Sequence, residues 1–196
     1  LTYLSDDAFS GHSGIISIQV GANLPSFPAY QFNNCDIKTV TVKNSNYLQN
    51  VDGLVLSKDG TKLYFASTLV YGDVEIPSGV TEIGEYAFYK CISLTSLDIP
   101  NSLTSFGESA FSECSSLTSV TIPTSVTSIG DYVFSSCTSL PSITIPNSVK
   151  SIGTGSFAKC TSLTSIDIPS SVKSIGKDAF YSCTGLTSVT IPTSVT

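Results

Sequence analysis

The chain has 196 residues, a formal net charge of −6 and 12% charged residues, about half the usual share of ~25%. With no basic run beside it, that charge argues against nucleic acid and anionic membrane surfaces as partners. No stretch approaches the ~20 apolar residues of a membrane helix and no secretory signal opens the chain, so Leu1 is expected either to follow a cleaved leader or to mark an arbitrary start.

The first residues align with a repeat that is clearer further on. Phe9 matches Phe88, Leu1, Thr2 and Leu4 fall on Val80, Thr81 and Ile83, and Ile15, Ile18 and Val20 fall on Leu94, Leu97 and Ile99. His12 takes the slot of Cys91. A second degenerate coil follows, with Leu24, Phe27, Phe32, Cys35, Ile37, Val40 and Val42 in phase after one deletion. From Val42 to Ile76 is 34 residues, 11 more than the regular period. Here Leu54-Val-Leu56 and Leu63-Tyr-Phe65 flank Lys58-Asp-Gly-Thr61, which predicts an inserted β-hairpin. Tyr71, Val74 and Ile76 then restore the Leu-x-x-Leu-x-Ile spacing.

Ile-Pro pairs at 76, 99, 122, 145, 168 and 191 recur every 23 residues. A period of this length is the mark of a solenoid whose coils stack on one another. In the 122–144 coil, Leu140, Ile143 and Ile145 predict a short strand that alternates inward, so stacked coils form one continuous parallel sheet. Pro146 ends the pairing. Val126 and Ile129 turn inward again, and Gly130 is expected where a β-carbon would be hindered. Val133 and Phe134 are expected on the opposite wall, in a short helical turn led by Asp131. The fold class is therefore an α/β solenoid, a right-handed coil with a parallel sheet on one face and short helical turns or loops opposite. It is one domain over 1–196: degenerate coils at 1–42, an irregular coil with an inserted hairpin at 43–75, five regular coils at 76–190 and the start of another at 191–196.

The pattern Pro-x-Ser-Val-x-Ser-Ile-Gly-x-x-Ala-Phe-x-x-Cys-x-x-Leu-x-x-Ile-x-Ile-Pro strongly resembles the BspA-like (Treponema-type) leucine-rich repeat. The match runs over 76–196 nearly without gaps and over 1–42 in degraded form, and the irregular unit around Asp52-Gly53 and Lys58-Asp59-Gly60 is also similar to units of that family. The resemblance implies a secreted or cell-surface protein, with adhesion to host matrix proteins or other cells as its expected role.

Catalysis finds no support. His12 is the one histidine and reads as structural, and no Gly-x-Ser-x-Gly elbow or phosphate loop occurs. Asp98 and Asp167 share a phase but lie three coils apart, roughly 14 Å at strand spacing, too far for a glycosidase pair. No cofactor or metal is expected, because no Cys-x-x-Cys pair with a nearby histidine offers four ligands. The six cysteines are expected to be free: those at 91, 114, 137, 160 and 183 share one inward phase, and stacked coils hold their β-carbons parallel rather than convergent.

Binding is the remaining expectation. One candidate face is the outward row Ser96, Asp98, Ser119, Thr121, Ser142, Thr144, Ser165, Asp167, Ser188 and Thr190, although it has no Trp, Tyr or Arg of the kind that dominates interfaces. The other is the aromatic group of the irregular coil, Tyr47, Tyr64, Phe65 and Tyr71, some of which must pack the hairpin. Expected partners are a host matrix or cell-surface protein, with a glycan also possible. The alternative partner is a like subunit stacked end to end into filaments or a surface layer. Val195 and Thr196 fall where Leu1 and Thr2 would stand one coil later, with no capping coil, so a fragment of a longer array is expected.

Overall fold

The computed structural model describes residues 8, 9 and 11–196; the Leu1, Thr2 and Leu4 positions aligned above lie outside the described residues. The strands are β1 (Ser17–Val20), β2 (Thr39–Val42), β3 (Leu48–Val51), β4 (Leu54–Ser57), β5 (Lys62–Ala66), β6 (Gly72–Glu75), β7 (Glu82–Ile83) and β8 (Leu94–Asp98). They continue as β9 (Ser105–Phe106), β10 (Ser119–Val120), β11 (Ser128–Ile129), β12 (Ser142–Thr144), β13 (Ser151–Ile152), β14 (Ser165–Asp167) and β15 (Ser174–Ile175).

The coils stack as a solenoid with parallel strands in two rows. The Leu-x-x-Ile-x-Ile segments pair as β1–β2, β6–β8–β10 and β12–β14, and the Val-x-x-Ile segments as β7–β9, with β5 of the inserted segment paired to β7, and as β11–β13–β15. The Ile-Pro pairs at 76, 99, 122, 145 and 168 follow first-row strands and start tight turns: Val80, Val126 and Val149 donate back to the carbonyls of Pro77, Pro123 and Pro146 at 2.9–3.1 Å. Many Ser and Thr hydroxyls repeat the backbone pattern. Thr104 Oγ1 and Thr118 Oγ1 donate to Thr81 O and Thr95 O of the preceding coil at 2.9 and 3.0 Å, so part of the polar composition holds the stack together.

The third wall is built differently from the expected helical turn. Among the described residues the one helix is a four-residue 3₁₀ turn, Ala29–Phe32. In the regular coils the residue pairs Tyr86 and Lys90, Ser109 and Glu113, and Tyr132 and Ser136 have φ of 53–61°, a left-handed conformation that no helix of L-residues propagates. Their N–H groups therefore point to the next coil instead of four residues back. Tyr132, Phe134 and Ser136 donate to Thr154 O, Ser156 O and Ala158 O at 2.7–2.8 Å. The Asp131 carboxylate accepts from Thr154 N at 2.7 Å, so it caps the neighbouring coil and not a helix of its own.

Both sheet rows lapse at one junction, between the 99–121 and 122–144 coils, where β10 and β12, and β9 and β11, are not paired. In the first row Thr118 and Thr164 donate to Thr95 O and Pro141 O at 2.8 and 3.0 Å; Pro141, in the same slot, has no N–H to give. In the second row Phe106 stands where the other regular coils carry Ile, with its ring edge-on to Phe111 and Phe134 at 5.6 and 6.0 Å. The bulk coincides with the unpaired second-row strands. A β-carbon on Gly130 would accordingly find its nearest atom 3.6 Å away, contrary to expectation, whereas on Gly153 it would fall 2.6 Å from the backbone of Gly130.

Phe88, Phe111, Phe134, Phe157 and Phe180 form a column with ring centroids 5.2–5.6 Å apart, a geometry that adds to the burial of each ring. The inserted segment divides the core. It forms an antiparallel meander β3–β4–β5, one strand more than the expected hairpin, with Asp52 (φ 51°) and Gly53 (φ 87°) at the β3–β4 turn. Such a pair of positive φ values suits a two-residue hairpin loop. Leu54, Val55 and Leu56 are all buried: Leu54 and Leu56 pack on the C-terminal core, Val55 on the N-terminal one. β4 is thus a partition with both faces covered, which is what an unbroken apolar run allows.

All six cysteines are free and buried. Cys114, Cys137, Cys160 and Cys183 donate Sγ–H to the carbonyls of Phe88, Phe111, Phe134 and Phe157 at 3.0–3.3 Å. Burial raises the thiol pKa of Cys91, Cys114 and Cys137 well above the ordinary range, and that of Cys160 to about 12. The folded chain keeps protons that the unfolded chain releases near pH 9. This stability is therefore complete below that pH and is lost as pH rises toward 12. In chemical denaturation from pH 9 to 11, replacing Cys114 and Cys137 by Ala should flatten the loss by about 1.4 kcal/mol per pH unit for each thiol removed. An unchanged slope would contradict the burial of these thiols.

Candidate functional site

The structure places the Ser/Thr row on the outer face of the first strand row, where Ser96 lies beside Ser119, Ser142 beside Ser165 and Thr144 beside Asp167. All ten are at least partly exposed. The row is flat and polar. Phase alone extends it one coil further, to residues the sequence reading passed over: Asp73 lies beside Ser96 and Glu75 beside Asp98. The Asp73 carboxylate accepts from Ser96 Oγ at 2.6 Å and Thr95 Oγ1 at 3.2 Å.

The four aromatics of the irregular coil do not form one surface. Phe65 is buried against Phe27, centroids 5.3 Å apart, so it belongs to the core. Tyr64 is half-buried, and Lys62 Nζ lies 5.4 Å from its ring while pairing with Glu82 at 2.5 Å. Burial raises the Tyr64 phenol pKa. Tyr47 is exposed but does not line the groove described next. Tyr71 is 79% exposed, although the restored spacing sets it in the inward slot of Leu94. A register slip at Gly72 is the reason. Gly72, with φ 68°, sits opposite Leu94, and Asp73 then pairs with Ser96, so Thr95 is skipped and Tyr71 is displaced outward.

That slip borders a split in the parallel face. By phase β6 should lie against β2, but β2 pairs only with β1, and β6 only with β8. The β3–β4 turn intrudes between them: Asn50 Nδ2 donates to Val40 O at 2.7 Å, and Ser67 N to Gly53 O at 2.9 Å. The result is a groove of about 760 Å³ between β2 and β6. Val51, Leu69 and Tyr71 line it and are 39%, 55% and 79% exposed. Asp52, Asp73 and Glu75 also line it against one cation, Lys38, which pairs with Asp36 at 3.7 Å. The groove is apolar at its mouth and acidic along one lip.

His12 is exposed, its ring edge-on to Phe9 at 6.3 Å. It does not fill the cysteine slot inward, since an imidazole costs more to bury than a thiol. Among the described residues no group of three His, Cys, Asp or Glu is placed to hold a metal ion, and no helix is long and apolar enough to cross a membrane.

The family model for the BspA type leucine rich repeat region matches residues 1–52 and 61–183, in six copies. The unmatched stretch between them is β4 and its following turn. A solved leucine rich cell surface protein from Faecalibacterium prausnitzii is 31% identical, with a TM-score of 0.82 over 88% of this chain and 46% of its own. The T. pallidum leucine rich repeat protein is 32% identical, with a TM-score of 0.63 over 76% of this chain and 71% of its own. The pneumococcal vaccine antigen PcpA, 20% identical, shares the fold, with a TM-score of 0.80 over 96% of this chain and 52% of its own. This chain spans about half the length of the first and third of these. A comparison with curated proteins finds no match.

The register slip has a direct test in stability. Tyr71→Ala should change the unfolding free energy by no more than about 0.5 kcal/mol, as exposed sites do. Leu94→Ala, in the slot the spacing equates with it, should cost about 2–5 kcal/mol. Equal losses in urea denaturation would return Tyr71 to the core.

Proposed function

The chain belongs to the BspA-type leucine-rich-repeat family, and from that premise we propose that it is a non-enzymatic, surface-displayed recognition module that adheres through the groove of its irregular coil. The observation that carries this reading is the cluster of Val51, Leu69 and Tyr71 at the groove, in a face otherwise covered by Ser, Thr and acidic side chains. An exposed Tyr is the kind of side chain that anchors a protein partner, and an exposed apolar patch around it marks an interaction surface. The regular Ser/Thr row solvates the sheet and supplies the rim. Its flatness and lack of aromatics give a glycan or protein little to grip.

An extracellular setting is supported by the likeness to a cell surface protein at 31% identity. The partner class is a host matrix or cell-surface protein. End-to-end stacking draws on the two ends of the chain, and because similar structures are about twice as long, those ends carry no argument for it.

The experiment immobilises the purified chain and measures capture of extracellular-matrix proteins and of whole epithelial cells. Leu69→Ser with Tyr71→Ser should weaken capture about tenfold or more, in the range of interface anchors. Ser142→Ala with Thr144→Ala should change it less than about twofold, as solvating positions do. Loss of capture by the second pair, with none by the first, would move the site to the regular row.

A further inference from the structure

Resting on the groove reading above, we infer that the occupant is an extended peptide segment of alternating basic and small apolar residues, which adds as a strand to the free edge of β6.

In a parallel pair, alternate residues turn both backbone polar groups to the same side. Gly72 N and Ile76 N donate to Ser93 O and Asp98 O, each at 3.0 Å, so Gly72, Val74 and Ile76 face β8. Asp73 and Glu75 consequently turn their N–H and C=O groups toward the groove, where β6 is the edge of its sheet. On the opposite lip β2 pairs only with β1, and Asn50 already occupies Val40 O. The edge open to a new strand is therefore β6. Sheet edges of this kind take up extended peptides through main-chain hydrogen bonds, with alternate side chains setting specificity.

The side chains of β6 define what that strand should carry. Asp73 and Glu75 are exposed on the outer face, and Val74 is half-buried toward the core. An added strand places every second residue beside Asp73 and Glu75, where opposite charge is favoured across neighbouring strands. The residues between them turn inward beside Val74. Asp52 also lines the groove and adds to the same field, and Lys38 is engaged by Asp36. Tyr71 at the mouth offers its ring face to a Lys or Arg at the end of the segment.

The test uses the whole chain, ¹⁵N-labelled, and three end-blocked octapeptides: alternating Lys and Val, the same with Glu for Lys, and the Lys peptide N-methylated at alternate amides on the β6-facing side. The Lys peptide should shift the amide signals of Asp73, Val74 and Glu75 and slow the exchange of the Asp73 and Glu75 amides. The Glu and N-methylated peptides should bind at least about tenfold more weakly, the first for charge and the second for lost backbone donors. Asp73→Asn with Glu75→Gln, both exposed, should weaken the Lys peptide in the same direction. Equal binding of all three peptides, no binding up to about millimolar (a free energy of only about −4 kcal/mol), or shifts centred on Ser142–Thr144 would overturn strand addition. If the peptide fails while Leu69→Ser with Tyr71→Ser still weakens capture of the matrix partner, strand addition alone falls. If that double variant also leaves capture unchanged, the groove reading falls with it.

Discussion

Everything in this molecule depends on the stacking of one coil on the next at a 23-residue register. A coil carries too few large apolar side chains to offset the entropy of ordering itself, so its stability comes from neighbours in phase. Three sets of contacts share that register: the two strand rows, the third-wall bonds from residues such as Phe134 to the next coil, and the Phe column with its adjoining thiols. Because all three read the same period, the loss of one at a junction leaves the other two. At Phe106 and Pro141 both strand rows lapse, yet Ser109, Phe111 and Glu113 still donate across that junction at 2.8–3.0 Å.

The same constraint explains where the candidate site arises. Ser, Thr and a few acids repeat along the regular face because each coil imposes the same outward slots, and such a surface has little to distinguish one place from another. Distinction requires a break in phase. The extra residues after Val42 supply it: they fold into a meander whose middle strand β4 is buried on both faces and divides the core. A partition inside must show outside. It parts β2 from β6, opens the groove and, through the slip at Gly72, displaces Tyr71 onto its rim.

The solenoid, the inward set of the first four regular coils, the free thiols and the Lys58–Thr61 turn were legible in the sequence, because each follows from periodicity or from turn chemistry in a short window. In the 168–190 coil Val189 and Ile191 keep the phase but form no strand and are exposed, contrary to expectation. The third wall was not. Val133-Phe134 led by Asp131 reads locally as a helical turn, and the left-handed conformations of Tyr132 and Ser136 are imposed by bonds to a coil 23 residues away. Tyr71 was misplaced for a related reason: apolar spacing carries no sign of a one-residue slip, although Gly72 beside it supplied the one local hint. Asp73 and Glu75 were within reach, since they stand one period before Ser96 and Asp98. Their significance was not, because it comes from the missing partner strand and not from the residues themselves.

The central claim is that the parallel face is split between β2 and β6 by the inserted meander. Inter-strand nuclear Overhauser effects in the 20.6 kDa chain test it most directly. Backbone contacts should run between Ser96 and Ser119, between Val74 and Leu97, and between Ile18 and Val40, with none linking residues 39–42 to residues 72–75. A continuous set of contacts across that boundary would close the groove and contradict the account of both the fold and the site.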